Sequence, residues 1–287
     1  MTPSFGCIVL TQNERPGELR RAVESLLAQQ GVDVDIVVVG NDCEPAGVPE
    51  GIRRLTLSEN LGVPGGRNAG VSQVQGELLL FLDDDARFDD RQALERIGRL
   101  FTADPHLAAV QPRLEDPSGR PGPRSWVPRL RTNDATRSGH VTVMSEAALV
   151  VRRSAFEHVG AWPGHFFFYA ENSDLAWRLL DAGYRIWYAG DVVAHHPAPT
   201  MPRRGTFRFF AARNRVWVAR RRLPVPLAAV YIGGWLLRMA ARSRSVDDAR
   251  QVLRGARAGF RDDPGERRPL SWRTVWRMTR AGRPPVL

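Results

Sequence analysis

The sequence predicts an α/β domain on a mostly parallel sheet with helices on both faces, followed by a basic helical extension. Three observations carry that expectation. Short apolar runs alternate with helical stretches through the first 200 residues. A chain of 287 residues, 43% hydrophobic and 25% charged, is long enough to bury a substantial core and too apolar to be disordered. The charge is split: from Arg203 to the end there are 21 arginines against 5 acids, which leaves residues 1–202 with a net charge of −6. Residues 1–200 therefore read as one domain and 201–287 as an Arg- and Trp-rich extension.

The elements follow in order. FGCIVLT (Phe5 to Thr11) has strand length. In PGELRRAVESLLAQQG, Leu19, Val23, Leu26 and Leu27 share one helical face behind a proline suited to a first turn, and Gly31 follows the last turn. DIVVVGND and RLTL are further strands, GGRNAGVSQVQG a short helix, and ELLLFL the most apolar strand. A helix is expected over Arg91 to Phe101, then the strand AAVQPRL, then an irregular Pro-, Gly- and Arg-rich segment from Glu115 to Gly139 of the kind that serves function or moves. VTVMSEAALVV resumes the core, and an aromatic loop, a helix and a closing strand end at His195 and His196.

All 41 basic residues are arginine. Cys7 and Cys43 stand far apart with no CxxC spacing, which argues against a structural zinc site or a disulfide framework and for a reducing, cytoplasmic setting. No signal peptide is apparent. Residues 223–242 approach bilayer length, but two prolines, a Gly-Gly pair and Arg238 favour an interfacial or packed helix. The flanking arginines and Trp217, Trp235, Trp272 and Trp276 suit a headgroup boundary.

Four patterns carry chemistry. ELLLFLDDDARF ends a buried strand in Asp83, Asp84 and Asp85. In an open parallel sheet, ligands bind beyond the carboxyl ends of strands, and three adjacent carboxylates repel unless a cation sits between them. Mg²⁺ or Mn²⁺ would be held by such oxygens with positions left for phosphate. NLGVPGGRNAG (Asn60 to Gly70) places glycines and Arg67 at a helix start, where anions are favoured, without matching a dinucleotide or P-loop spacing. Glu171 and Asp174 lie three apart at the start of a helix, hence on one face, where either serves as a cap or as a general base. The surrounding aromatics Phe166 to Tyr169 and Trp177 read as core, with Tyr169 or Trp162 as acceptor-pocket candidates. The His195-His196 pair at a strand end offers a metal ligand.

In this order and spacing, from about Phe5 to Pro197, the motifs resemble glycosyltransferase family 2 with its GT-A, Rossmann-like fold, in the flavour of bacterial rhamnosyl- and galactofuranosyltransferases of cell-envelope glycans. The resemblance implies an inverting transfer from a nucleotide-diphosphate sugar to a hydroxyl of a glycan or lipid-linked acceptor, with the nucleoside near Thr11 and Asp42. Asn60 and Arg67 would also serve the donor, Arg67 near its diphosphate. Asp85 would bind the metal, with Asp83 and Asp84 on sugar, ribose or metal-bound water, and His195 falls where relatives place a metal-ligating histidine. One departure matters: the acid that relatives carry directly after the position of Glu171 is here Asn172, which leaves Asp174, slightly favoured, or Glu171 as base.

The extension is expected to hold the enzyme against the anionic inner face of the cell membrane. A nucleotidyltransferase shares the carboxylates, the metal and a Gly-rich loop, but puts that loop directly after the first strand. A nucleic-acid-binding protein would suit the Arg- and Trp-rich tail but not the acidic body. An inactive transferase that only binds its donor is the fourth alternative, and Asn172 alone motivates it.

Overall fold

The computed structural model of the chain describes residues 2–128, 134–199, 206–243 and 245–286. The 200/201 boundary, the start of the extension at Met201 and part of the 115–139 segment lie outside them.

Eight strands form one sheet: β1 (Ser4–Thr11), β2 (Asp33–Asn41), β3 (Arg53–Leu57), β4 (Leu78–Asp83), β5 (Leu107–Glu115), β6 (Gly139–His140), β7 (Ala148–Arg152) and β8 (Arg185–His195). Their order is β3-β2-β1-β4-β7-β5-β8-β6. The first four run parallel, as do β5 and β8, whereas β7 is antiparallel to both β4 and β5. Of VTVMSEAALVV only Ala148–Val151 is strand; the earlier residues form the loop that meets the end of β4, where Asp83 N–H donates to the Ala147 carbonyl at 2.9 Å.

The helices within this domain are α1 (Pro16–Leu27), α2 (Gly62–Val71), α3 (Ala93–Ala103), α4 (Arg153–His158) and α5 (Glu171–Asp181). Successive side chains of a strand point to opposite faces, so β4 feeds two cores at once. Leu79 and Phe81 join Ile8, Phe156 and Trp162 on one face, and Leu80 and Leu82 join Val9, Leu19, Leu26 and Ile97 on the other. Both faces are covered, which is the physical reason that the parallel strands read as unbroken apolar runs.

The helix expected in the Gly-rich stretch begins earlier, at Gly62, and takes in most of its glycines. A Cβ at Gly70 would stand 2.6 Å from Ile8 Cγ2 and 3.0 Å from Val39 Cγ2, so glycine lets α2 lie directly on β1 and β2.

The extension forms α6 (Thr206–Arg222), α7 (Val225–Ala241), α8 (Val246–Arg261) and α9 (Trp272–Arg280). Helix α6 packs on α5 and carries α7 and α8. With 17 residues, α7 rises about 26 Å, short of the roughly 30 Å of a hydrocarbon core. Among the described residues no helix is long and apolar enough to cross a membrane. Two of the expected boundary tryptophans face inwards: Trp217 is buried against His165 and Phe166, and Trp235 stacks on Arg215 at 3.5 Å. Trp272 and Trp276 remain exposed.

Candidate active site

The carboxyl ends of β1, β2 and β4 open onto a cleft of about 610 Å³. The last residue of each strand lines it: Thr11, Asn41 and Asp83. Asp84 and Asp85 follow in the turn after β4, and Arg15, Asn60, Arg120, Phe167, Phe168 and His196 complete the wall.

Each of the three aspartates has a cationic neighbour. Asp83 accepts from Arg67 Nη2 at 2.7 Å and lies 3.6 Å from His196 Nε2. Burial alone would raise its pKa, but His196 and Arg67 outweigh it and hold the carboxyl below its ordinary value. Asp84 accepts from the Thr11 hydroxyl at 2.7 Å and pairs with Arg15 at 3.2 Å. Burial together with the charges of Asp85 and Asp83 still raises it to about 6. Asp85 pairs with Arg15 and lies 3.3 Å from His196 Nε2; burial and Asp83 raise its pKa against the pull of His196 and Arg15. His196 itself is raised, because Asp83 and Asp85 outweigh the effect of burial.

Asp83, Asp85 and His196 each offer one ligand atom, all within 4.8 Å of one another. Two hard carboxylate oxygens and one imidazole nitrogen suit Mg²⁺ or Mn²⁺, so the residues present fit a divalent ion. His195, the histidine expected there, lies elsewhere. Neighbouring residues of a strand point to opposite sides, and His195 Nε2 lies 3.3 Å from Asp89 while its backbone pairs with Arg87.

Other expected site residues are redistributed. Asp42 has a φ of +67° and is exposed outside the cleft; Asn41, one residue earlier, faces it and donates to Asn60 Oδ1 at 2.9 Å. Arg67 is buried behind Asp83, also donating to the Glu146 carbonyl at 3.0 Å, and does not line the cleft. Trp162 is packed against Phe81 and Phe156, and the Tyr169 hydroxyl accepts from Arg215, so neither lines the cleft.

Asp174 is not placed to act as a base. It is fully buried and engaged by Arg178 at 2.8 Å, Arg222 at 2.7 Å and Arg221 at 3.2 Å. Burial would raise its pKa, but these guanidiniums, Arg178 first, lower it below the ordinary value. The carboxylate ties α5 to α6, a buried pairing whose one-sided removal costs about 3–5 kcal/mol. The i, i+3 spacing hid this because two of the partners come from 47 and 48 residues later.

Glu171 is different. It opens α5, is buried, and neither carboxylate oxygen has a hydrogen-bond partner among the described residues. Burial first, then the neighbouring Glu146, raises it to about 8. Asn172 donates to the Met144 carbonyl at 2.8 Å.

The model of the Glycosyl transferase family 2 family matches residues 7–160, more than half of the sequence. The chain belongs to glycosyl transferase family 2. An O-antigen chain rhamnosyltransferase of Salmonella anatum is 33% identical over 157 residues, 51% of this chain and 49% of that protein, so the chain spans about half the length of that relative. A galactofuranosyltransferase of Mycobacterium tuberculosis is 28% identical over 254 residues, covering 76% of this chain and 83% of that one. Among solved structures, a mannosyltransferase from Pyrobaculum calidifontis in complex with GDP-Man and Mn²⁺ superposes with a TM-score of 0.57 at 18% identity, over 98% of this chain and 85% of that chain. A TarS fragment from S. aureus superposes at 0.60 and 18% identity, over 90% and 80%. These likenesses show the GT-A fold, with its helical C-terminal region.

The charge of Glu171 gives a stability test. An acid whose folded pKa lies above its unfolded value binds more protons in the native state, so stability falls as pH rises from about 4.5 through about 8. Glu171→Gln is expected to melt higher than the native chain at pH 8, with the difference closing towards pH 5 in calorimetric scans. A difference that stays constant over that range would contradict the assignment.

Proposed function

We propose that the chain is an inverting glycosyltransferase that moves a sugar from a nucleotide-diphosphate donor to a hydroxyl of a cell-envelope glycan or lipid-linked acceptor. The observation that carries this reading is the cluster Asp83, Asp85 and His196 at the mouth of a cleft whose volume suits a nucleotide sugar. Family membership and relatives named for rhamnosyl and galactofuranosyl transfer support it.

Asp83, Asp85 and His196 would hold Mg²⁺ or Mn²⁺. The ion, when bound, supplies positive charge opposite the departing diphosphate. Thr11, Asn41 and Asn60, at the ends of β1 and β2 and before α2, form the nucleoside side, and Thr11 fixes Asp84 there. Arg67 orients Asp83 from behind rather than meeting phosphate directly. Arg15, paired with Asp84 and Asp85, is the exposed guanidinium placed to exchange those carboxylates for a diphosphate. Of the two acids, Glu171 is the one we assign as base. It is buried and does not itself line the cleft, but it follows directly on the loop whose Phe167 and Phe168 do. Its carboxyl, raised to about 8, has no arginine paired with it among the described residues, whereas three arginines hold Asp174 low.

In this reading residues 1–200 are the transferase domain, and 201–287 hold it against the anionic inner face of the cell membrane. The outer face of α8 supports the second half. Val246, Leu253 and Phe260, 76%, 71% and 55% exposed, recur every seven residues on the side opposite Val252, Gly255 and Gly259. Arg250, Arg254 and Arg257 are exposed beside them, without an acidic partner among the described residues. Apolar residues that dip below the headgroups between arginines are the pattern of an interfacial helix.

Incubated with Mn²⁺ or Mg²⁺ and a panel of nucleotide sugars, the chain is expected to release nucleotide from one donor, and Asp85→Ala to lower that rate by about a hundredfold or more. Release that is indifferent to metal and to Asp85→Ala would overturn the reading. For the membrane surface, replacing Arg250, Arg254 and Arg257 together by Gln should weaken co-sedimentation with phosphatidylglycerol vesicles by about a hundredfold, at about 1 kcal/mol per arginine. Undiminished binding would remove α8 from the interface.

A further inference from the structure

Between the short turn at Gly164–Phe166 and the start of α5, the backbone takes a conformation that side chains resist. Phe167, Tyr169 and Ala170 have φ values of +65°, +78° and +69°, and none is glycine. Such strain persists only where the surroundings over-determine it. Here they do so from two sides. On one, the Phe167 carbonyl accepts from Val63 N–H at 2.7 Å at the head of α2, and Gly62, with a φ of +71° and no Cβ to meet that carbonyl, admits the approach. On the other, the amide of Asn214, fully buried in α6, donates to the carbonyls of Phe166, Phe168 and Tyr169 at 2.9, 2.7 and 2.8 Å. Its oxygen accepts from Arg213 Nε at 2.9 Å, and Arg213 Nη2 reaches the Phe166 carbonyl at 2.8 Å.

The two N–H groups of this amide are shared among three carbonyls that neither strand nor helix uses. The Phe166 carbonyl also accepts from Phe168 N–H at 2.7 Å and from Arg213, so those of Phe168 and Tyr169 depend most on Asn214, and an unmet buried carbonyl is strongly disfavoured. The loop it holds has two outputs. Phe167 and Phe168 line the cleft, and Glu171 follows at the first position of α5.

We propose that Asn214 is the positioning residue of the 166–170 loop, through which the C-terminal extension sets both the aromatic wall of the cleft and the place of Glu171. The inference deepens the glycosyltransferase reading and rests on it for the meaning of Glu171. No part of Asn214 reaches the cleft. It acts through the loop: its hydrogen bonds go to loop carbonyls and Arg213, and none reaches Thr11, Asn41 or Asn60 on the nucleoside side.

The test is Asn214→Ala in the full chain, followed by hydrogen–deuterium exchange over residues 163–172, calorimetric titration of UDP and GDP in the presence of Mn²⁺, and turnover of the donor that the native protein accepts. The clamp predicts exchange in that segment at least about tenfold faster, with β1 and β4 unchanged. Nucleotide affinity should stay within about twofold while kcat falls by about a hundredfold, the effect of a reacting group misplaced by about 1 Å. Unchanged exchange in the folded variant would overturn the clamp. Faster exchange with native kcat, or affinity and kcat falling together, would overturn the positioning role. If Asn214→Ala does not fold, Asn214→Ser, which keeps a smaller hydrogen-bonding group, is held to the same outcomes. A native protein that turns over no donor would refute the glycosyltransferase reading and with it the positioning role, while exchange still decides whether Asn214 holds the loop.

Discussion

Three carboxylates at the end of one strand repel each other, and the site is organised around that repulsion. Asp83, Asp84 and Asp85 are consecutive, and β4, between β1 and β7, ends at the first of them, so all three sit at the carboxyl edge of the sheet. Their charge is then shared out among cations that arrive from separate elements: Arg67 from α2, Arg15 from the loop after β1, and His196 from just beyond β8. Each arrival depends on a packing detail. Arg67 reaches Asp83 because glycines let α2 lie on the sheet. His196 reaches both Asp83 and Asp85 because β8 pairs with β5 out to its last residue, His195, which also bridges to Arg87 just after the aspartates. The compensation is incomplete, with Asp84 and Asp85 left above their ordinary pKa, which is the condition in which a site gains from a divalent cation.

The extension is bound to the same site by buried charge. Asp174, which the sequence offers as a base, instead receives Arg221 and Arg222 from α6 besides Arg178 of its own helix. A buried carboxylate among three guanidiniums fixes one relative placement of α5 and α6, and that placement brings Asn214 under the strained loop. The outward faces of α8 and α9 carry exposed apolar and arginine side chains, and α8 packs on α6, the helix that also meets α5 at the edge of the cleft.

Much of this was legible in the sequence because it is local. The run ELLLFL followed by DDD states both a buried strand and a charged strand end, and the proline and apolar spacing of α1 give its start and its buried face. What was not legible depends on partners far along the chain. Two acids three apart share a helical face whatever they do, and only α6, some 47 residues on, reveals the arginines that engage Asp174, whereas Glu171 has no hydrogen-bond partner among the described residues. His195 and His196 are equivalent in composition, and strand parity relative to β4 separates them. Asn41 had a readable signal, as the terminal residue of a strand whose neighbour β1 ends in Thr11, but the charge of Asp42 outweighed it. Nothing local marks Arg67 as a residue that works from behind the aspartates.

The most direct test of this arrangement is the ligand set itself. Pulsed electron paramagnetic resonance of Mn²⁺ bound to the full chain reports whether a histidine nitrogen coordinates the ion. The account predicts a single nitrogen coupling that persists in His195→Ala and disappears in His196→Ala. A coupling lost in His195→Ala and retained in His196→Ala would contradict it.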